Sequence, residues 1–336
     1  DWFHALSTNL DRRVTLRLVK GAYWDTEIKR AQVEGLRGFP VWTTKSATDV
    51  AYLGLAKRLL GLTDRIYPQF ATHNAHTVAA ILEMATDPAT YEFQRLHGMG
   101  EALHDRVIAA EGTRCRIYAP VGAHRDLLAY LVRRLLENGA NSSFVHQILD
   151  TDVAPEDLAA DPYDALDRAA AEAVTSPGAL FAPERANSQG WDLHAREDLA
   201  AIETARAPFA DHQWPAAPML AGTMRGAAAL PVRHPARPSE KVGAVRHTTT
   251  ADIETALTGG RVWDTPPERR AKVLTRASEL YEAHFGEFFA LLAREAGKTP
   301  ADAIAELREA VDFLRYYAAR GREIDAPARG IVACIS

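Results

Sequence analysis

Along the first 145 residues, short apolar runs alternate with longer stretches whose apolar positions recur at helical spacing. VTLRLVKGAY (14–23) leads into DTEIKRAQVEGL (25–36), and a loop then brings ATDVAYLGLAKRLLG. RIYPQFATHN (65–74) leads into AHTVAAILEMA, and YEFQRLHGM (91–99) into a helical stretch near 100–111. RCRIYAPVG (114–122) leads into a helix ending in AYLVRRLLENGANSSF (129–144). Strand-like runs alternating with helices predict a parallel sheet of βα units. Four strands are too few to close an eight-stranded barrel, so a barrel built from them lacks its first half.

The last of these helices carries two stripes. Leu128, Leu131, Val132, Leu135 and Leu136 fall at i, i+3, i+4, i+7 and i+8, which predicts a core-facing side. Tyr130, Arg133, Arg134 and Glu137 form a second strip. One reading of it is a solvated face with Arg133 and Glu137 as an i,i+4 pair. The other is a grip on an anion, because a guanidinium is a planar fork matched to carboxylate or phosphate.

Polar and aromatic residues gather where the predicted strands end: Lys20, Tyr23 and Trp24; Thr72, His73 and Asn74; Gln94 and His97; Tyr118. In a βα barrel that end carries the active site. Each residue alone also reads as a hydrogen-bonded loop or packing group; the repetition at four strand ends favours a site. No G-x-G-x-x-G follows any strand, which argues against a dinucleotide fold here.

Residues 146–240 change character, through an Ala/Asp-rich helical stretch, the irregular SPGALFAPERANSQGWDL, a helical HAREDLAAIETARA, and a linker-like run with a boundary near 215–232. Beyond it, PVRHPARPSEKVGAVRHTTT reads as two short strands around a turn. TADIETALTGG reads as a helix capped near Thr250 or Asp252, and two long amphipathic stretches as helices with solvated charged faces. GIVACIS (330–336) reads as an apolar β-like run. A start at Asp1 and this closing run suggest a piece of a longer protein.

Composition narrows the class. The apolar share is 47% and the charged share 25%, as in globular proteins. With 39 basic and 44 acidic residues the net charge is −5, which gives no support to nucleic-acid binding. No run approaches a membrane span, and no signal peptide is visible. Cys115 and Cys334 belong to no metal or disulfide pattern, which makes a cytoplasmic setting the default.

RLVKGAYWDTEIKRAQ (17–32), ATHNAHT (71–77), FQRLHGMGEAL (93–103) and YAPVGAHRDLLAYLVRRLLENGANSSFV (118–145) resemble proline dehydrogenase, specifically that of the bifunctional bacterial proline utilization A family. ERANSQGWDL (184–193) and PMLAGTMRGAAALPVRHPARPSEKVGAVR (218–246) resemble its domain junction, and REAGKTPADAIAELREAVDFLRYYA (294–318) the start of its aldehyde dehydrogenase module. The resemblance implies an α/β chain: the second half of a (βα)8 barrel over 1–150, a helical and irregular linker over 151–230, and the N-terminal part of an aldehyde dehydrogenase-like α/β domain over 231–336. It implies FAD-dependent oxidation of L-proline to pyrroline-5-carboxylate, then NAD-dependent oxidation of glutamate semialdehyde to glutamate. A membrane quinone would take the electrons, with peripheral membrane association and a homo-oligomer as further expectations.

By the same resemblance, Arg133 and Arg134 hold the substrate carboxylate, and Arg17 and Tyr118 complete the catalytic set. Ala22, Tyr23, Leu96, Tyr118 and Tyr130 shape the substrate pocket. Arg17, Val19, Lys20, Gly21, Ala22, Trp24, Thr43, Lys45, Thr72, His73, Asn74, Gln94, Arg134, Glu137, Ser143 and Phe144 contact FAD. The family's lysine, aspartate and glutamine from earlier strands have no counterpart here, nor has the aldehyde dehydrogenase nucleophile. Cys334 reads as a packing residue, and Ile335 and Ser336 as NAD contacts. The competing reading is an aldehyde dehydrogenase whose barrel-derived part is a non-catalytic scaffold or binding module.

Overall fold

The computed structural model describes residues 1–21, 23–139, 154–168, 174–220, 226–324, 326–332 and 334. Within its helices, the side chains at 124, 133–139, 155, 158 and 167–168 lie outside the described set. The chain divides into two compact units, Asp1–Glu27 with Pro40–Val174 and Ile28–Phe39 with Thr175–Ser336.

The first unit is built on β1 (Val14–Val19), β2 (Ile66–Ala71), β3 (Glu92–Leu96) and β4 (Arg114–Tyr118), in the order β1-β2-β3-β4. Every pairing is parallel. After α1 (Trp2–Asn9), helices follow the strands: α2 (Trp24–Val33) and α3 (Lys45–Leu60) after β1, α4 (Ala75–Met84) after β2, α5 (Glu101–Glu111) after β3 and α6 (His124–Gly139) after β4. The expected βα alternation is therefore present. Short helices α7 (Pro155–Leu158) and α8 (Pro162–Arg168) close the unit.

Strand periodicity sorts the side chains to two faces. Phe70 lies opposite Phe93 on the face covered by helices. Both are fully buried with Ile66, Tyr91, Tyr52, Ala56, Val78 and Ile81. Each phenylalanine buried this way contributes about 1.5–3 kcal/mol of hydrophobic stabilisation. The register puts Arg17, Gln69, Glu92 and Arg114 in one row of the other face. Val19, Ala71, Gln94 and Arg116 form the next row, and Leu96 and Tyr118 the last. The strand-borne candidate residues thus share one face.

Among the described residues β1 and β4 each have a single partner strand, so both are edges. This corrects the reading of α6. Leu128, Leu131 and Val132, expected to face a core, are 62%, 39% and 44% exposed. A crossover helix buries its stripe against strands on both sides of its own; after an edge strand, half of that surface is not supplied. Leu135 and Leu136 lie outside the described side chains.

In the second unit, α9 (Arg196–Arg206) is followed by β5 (Trp214–Ala216), then the antiparallel pair β6 (Leu230–His234) and β7 (Arg237–Val245). The stretch read as linker thus contributes β5, which pairs parallel with β7. The approach is close: a Cβ on Gly243 would meet the Trp214 carbonyl oxygen at 2.1 Å. The helices α10 (Thr250–Gly259), α11 (Pro267–Ala283), α12 (Phe285–Ala296) and α13 (Pro300–Gly321) follow. Capping boxes start two of them, Thr249 with Asp252 on α10 and Thr299 with Asp302 on α13. Trp191, Ile202, Phe289, Ala303, Ile304 and Leu307 form the core.

The ERANSQGWDL segment is fastened in this unit by polar contacts. Asp312 accepts from Arg185 at 2.7 Å and from the Ser188 hydroxyl at 2.7 Å and amide at 3.2 Å. The Asn187 amide donates to the carbonyls of Gln32 and Pro177. Arg294, 8% exposed, donates to the carbonyls of Phe209 and His212 and pairs with Glu240, fixing the approach to β5.

The GIVACIS reading changes. Ile331 and Val332 are exposed and no strand is formed there among the described residues, because an apolar run becomes a strand only with a ladder partner. Cys334, expected to pack, is exposed as well. Ile335 and Ser336 lie outside the described residues.

Candidate active site

The site forms where the four parallel strands end. The Arg17 guanidinium stands over the Tyr118 ring, 5.4 Å from its centroid. These residues come from the two edge strands, so the sheet curls into a trough. The Tyr118 ring lies 6.4 Å from that of Tyr130 on α6, and Leu96 pairs with Tyr118 across β3 and β4. Arg17, Leu96, Tyr118 and Tyr130 are therefore brought together. Such a cation–ring contact at an exposed site is worth about 0.5–1 kcal/mol.

A second cluster follows β1. Asp49 on α3 binds the ammonium of Lys20 and, at 3.0 Å, that of Lys45. Lys20 also stands over the Tyr52 ring at 5.4 Å. Two lysines on one carboxylate leave an excess positive charge. Burial pushes the Tyr52 hydroxyl's pKa up, against the opposing pull of Arg17. It stays a neutral donor to the carbonyls of Leu18 and Ala71 at the ends of β1 and β2. Thr43 precedes the N-cap Thr44 of the same helix, half-buried.

The β2 end is shaped by short-range bonds. The Thr72 hydroxyl oxygen accepts from the Asn74 amide, and the Asn74 side-chain oxygen caps α4 by accepting from Thr77 N. The Thr72 O–H and the Asn74 side-chain NH2 remain as donors beside a helix N-terminus, an arrangement that suits an anion. His73 Nε2 accepts from the Leu96 amide at 3.0 Å, so its proton sits on Nδ1. Buried His104 donates from Nε2 to the Thr72 carbonyl at 3.0 Å. Gly100, at φ +66°, separates the two imidazoles; a Cβ there would lie 3.1 Å from His73 Cδ2.

Other expected residues fall less centrally. Val19, Gly21, Tyr23 and Trp24 are exposed, and the Trp24 indole donates to the Trp42 carbonyl. Ala22, Ser143 and Phe144 lie outside the described residues. Arg133, Arg134 and Glu137 fall on the backbone of α6 beyond Tyr130, but their side chains lie outside the described set. Burial raises the Cys115 thiol's pKa on the helix-covered face, so it is not a poised nucleophile.

Compared with known proteins, the chain matches the Proline dehydrogenase family over residues 1–147 and the Aldehyde dehydrogenase family over residues 223–331. It is 48% identical over 363 residues to the bifunctional protein PutA of Klebsiella aerogenes, covering 100% of this chain and 28% of that protein. The whole chain is thus similar to one segment of the PutA proteins. The crystal structure of proline utilization A from Bradyrhizobium japonicum superposes with a TM-score of 0.76 at 46% identity, over 96% of this chain and 31% of that one. The PutA of Bdellovibrio bacteriovorus, crystallised after inactivation by N-propargylglycine, gives 0.78 at 31% identity, over 97% of this chain and 34% of that one. The chain thus spans under a third of the length of the first curated PutA relative it matches.

The two matched families use flavin and nicotinamide cofactors in general. The residues at the strand ends fit a flavin nucleotide: a cation, Arg17, in the trough, and a lysine pair and helix N-terminus for a diphosphate. No group of three or more metal-ligating side chains is found among the described residues.

Sequence reasoning missed Asp49, Tyr52, His104 and the Glu92–Arg116 pair, in which the guanidinium meets the carboxylate at 2.6 and 3.1 Å. Two had a readable signal. Asp49 stands four residues after Lys45 on one helix, and Glu92 two residues before Gln94 on one strand face. Tyr52 and His104 reach the site through backbone carbonyls, which no sequence spacing announces.

Proposed function

We propose that the first unit contributes to a flavin-dependent proline dehydrogenase site, and that the second is the N-terminal part of an NAD-dependent glutamate-semialdehyde dehydrogenase module. The observation carrying this reading is the meeting of Arg17, Tyr118 and Tyr130 at the C-terminal ends of parallel strands, beside the Lys20–Asp49–Lys45 cluster. The PutA names and the two family matches support it.

FAD held by these residues would supply the two-electron acceptor for oxidation of L-proline to pyrroline-5-carboxylate. Arg17 holds negative charge at that end of the trough and favours the reduced state of the cofactor. Lys20 and Lys45 neutralise the diphosphate, with Asn74 and the start of α4 as neutral donors. Tyr118 and Tyr130 present ring faces that exclude water and suit a small cyclic amino acid. Arg133 and Arg134 grip the substrate carboxylate bidentately, which fixes orientation before reaction. Leu96 borders the same pocket beside Tyr118, and the exposed Tyr23 is assigned to it by the resemblance alone. The imine product hydrolyses to glutamate semialdehyde, the substrate of the NAD-dependent module. Electrons leave to a membrane quinone at the cytoplasmic face, through peripheral contact. No described helix is long and apolar enough to cross a membrane.

The test is flavin retention and potential in the complete reading frame that carries this chain. Arg17→Met lowers the flavin midpoint potential or slows its reduction by proline. Unchanged potential and unchanged reduction remove Arg17 from the site.

A further inference from the structure

The floor of the trough holds a buried carboxylate to which the proposed reaction gives no role. Glu92 is 4% exposed and receives four donors. Arg116 donates through Nε at 2.6 Å and Nη2 at 3.1 Å, Gln69 through Nε2 at 2.5 Å and Gln94 through Nε2 at 3.4 Å. Burial pushes this carboxyl's pKa up. The bonds from Arg116, Gln69 and Gln94, with the charge of Arg116, together outweigh burial and hold it below the usual range.

An ionised carboxylate only accepts hydrogen bonds. Each amide turned toward it must therefore offer NH2; a carbonyl oxygen there would set two acceptors against each other in a buried place. Gln94 consequently turns its own carbonyl oxygen away from Glu92. Among the described residues no protein donor meets that oxygen. The register places Gln94 one position before Leu96 and Tyr118 on the same face, next to Ala71 and Arg116.

We propose that Glu92 is a positioning residue that fixes Gln94 as a hydrogen-bond acceptor, so that Gln94 takes an N–H or O–H donor of the flavin nucleotide and not one of its phosphates. The inference rests on the flavin reading above. It assigns the two polar clusters different tasks. The lysine pair on Asp49 carries excess positive charge and takes the diphosphate. At the Glu92 end the carboxylate charge is met by Arg116, so what faces the ligand is the Gln94 carbonyl dipole, which selects a donor over a phosphate. The flavin half of the nucleotide, on the near side of the diphosphate that the lysine pair takes, offers two sources of such a donor, the imide N–H of the ring and the hydroxyls of the ribityl chain.

Flavin-fluorescence titrations of the complete reading frame test this with FAD, FAD methylated at the ring imide nitrogen, and FAD lacking a ribityl hydroxyl. Wild type binds one of the two analogues about tenfold or more weakly than FAD, because its acceptor is then left without a partner. The analogue that loses affinity identifies the donor. In Glu92→Gln the Gln94 amide is free to turn, and the preference for FAD over that analogue shrinks to about threefold or less. Gln94→Met gives the same loss of preference while leaving the Glu92–Arg116 pair in place, which covers the case in which Glu92→Gln does not fold. General loosening of the fold weakens all three ligands together and leaves their ratio unchanged, so a constant ratio in both variants overturns the proposal. Equal affinity of wild type for FAD and both analogues overturns it too. Absence of any FAD binding by wild type overthrows the flavin reading and this inference with it.

Discussion

Replacing Asp312 by alanine removes the acceptor that fastens the ERANSQGWDL segment. Three bonds are lost: the Ser188 hydroxyl at 2.7 Å, the Ser188 amide at 3.2 Å and Arg185 at 2.7 Å. Ser188 is 1% exposed, so its hydroxyl and amide are left without a partner in the interior. These two contribute about 1–1.5 kcal/mol each. Arg185 and Asp312 are partly open to water, which holds that ion pair to about 1 kcal/mol or less. The sum is about 3 kcal/mol. For a unit of this size it corresponds to a fall in unfolding midpoint of roughly 6–12 °C. Differential scanning calorimetry on wild type, Asp312→Ala and Glu309→Ala measures it. Glu309 is exposed on the same helix, and its replacement should stay within about 0.5 kcal/mol of wild type. A shift for Asp312→Ala no larger than that for Glu309→Ala would refute the assignment of the segment's hold to Asp312.

Three further outcomes are expected. Gly100→Ala puts a Cβ at φ +66° and 3.1 Å from His73, and should cost about 1–3 kcal/mol in urea unfolding with an unchanged m-value. Burial, ahead of a weaker effect of Arg95, holds the His104 pKa below 6.5, with the Thr72 carbonyl and Asp105 acting the other way. The unfolded chain therefore takes a proton near pH 6.5 that the folded one refuses. Stability is full above 6.5 and falls as pH drops toward the folded-state pKa; in His104→Gln that part of the pH dependence should vanish from chemical denaturation curves. Arg133→Met and Arg134→Met in the complete reading frame should each raise the KM for proline by at least tenfold while flavin remains bound, and an unchanged KM removes the arginines from the carboxylate site.

The βα order of the first unit was legible because its strands are short apolar runs closed by polar residues, and its helices carry a 3.6-residue period. The shared face of Arg17, Leu96 and Tyr118 follows from period 2 once the parallel register is known. The exposed stripe of α6 was not legible. Leu128, Leu131 and Val132 have the spacing of a core face, and spacing says nothing of whether a neighbouring strand exists to be covered. β5 was hidden for the opposite reason. Trp214–Ala216 is three residues long and contains a proline, and its pairing with β7 depends on Gly243 leaving room. Within the site, the resemblance picked out Lys20 and Lys45 but not Asp49, which binds both; the carboxylate becomes visible only when α3 folds back over β1.

The central claim is that this trough belongs to a flavin site that oxidises proline. The most direct test is an anaerobic absorbance titration with L-proline, run on this chain with FAD and on the complete reading frame that carries it. The complete protein should show bound flavin whose visible absorbance bleaches as proline is added, with Arg133→Met requiring far more proline. Flavin that binds but does not bleach with proline, or no bound flavin at all, would contradict the account.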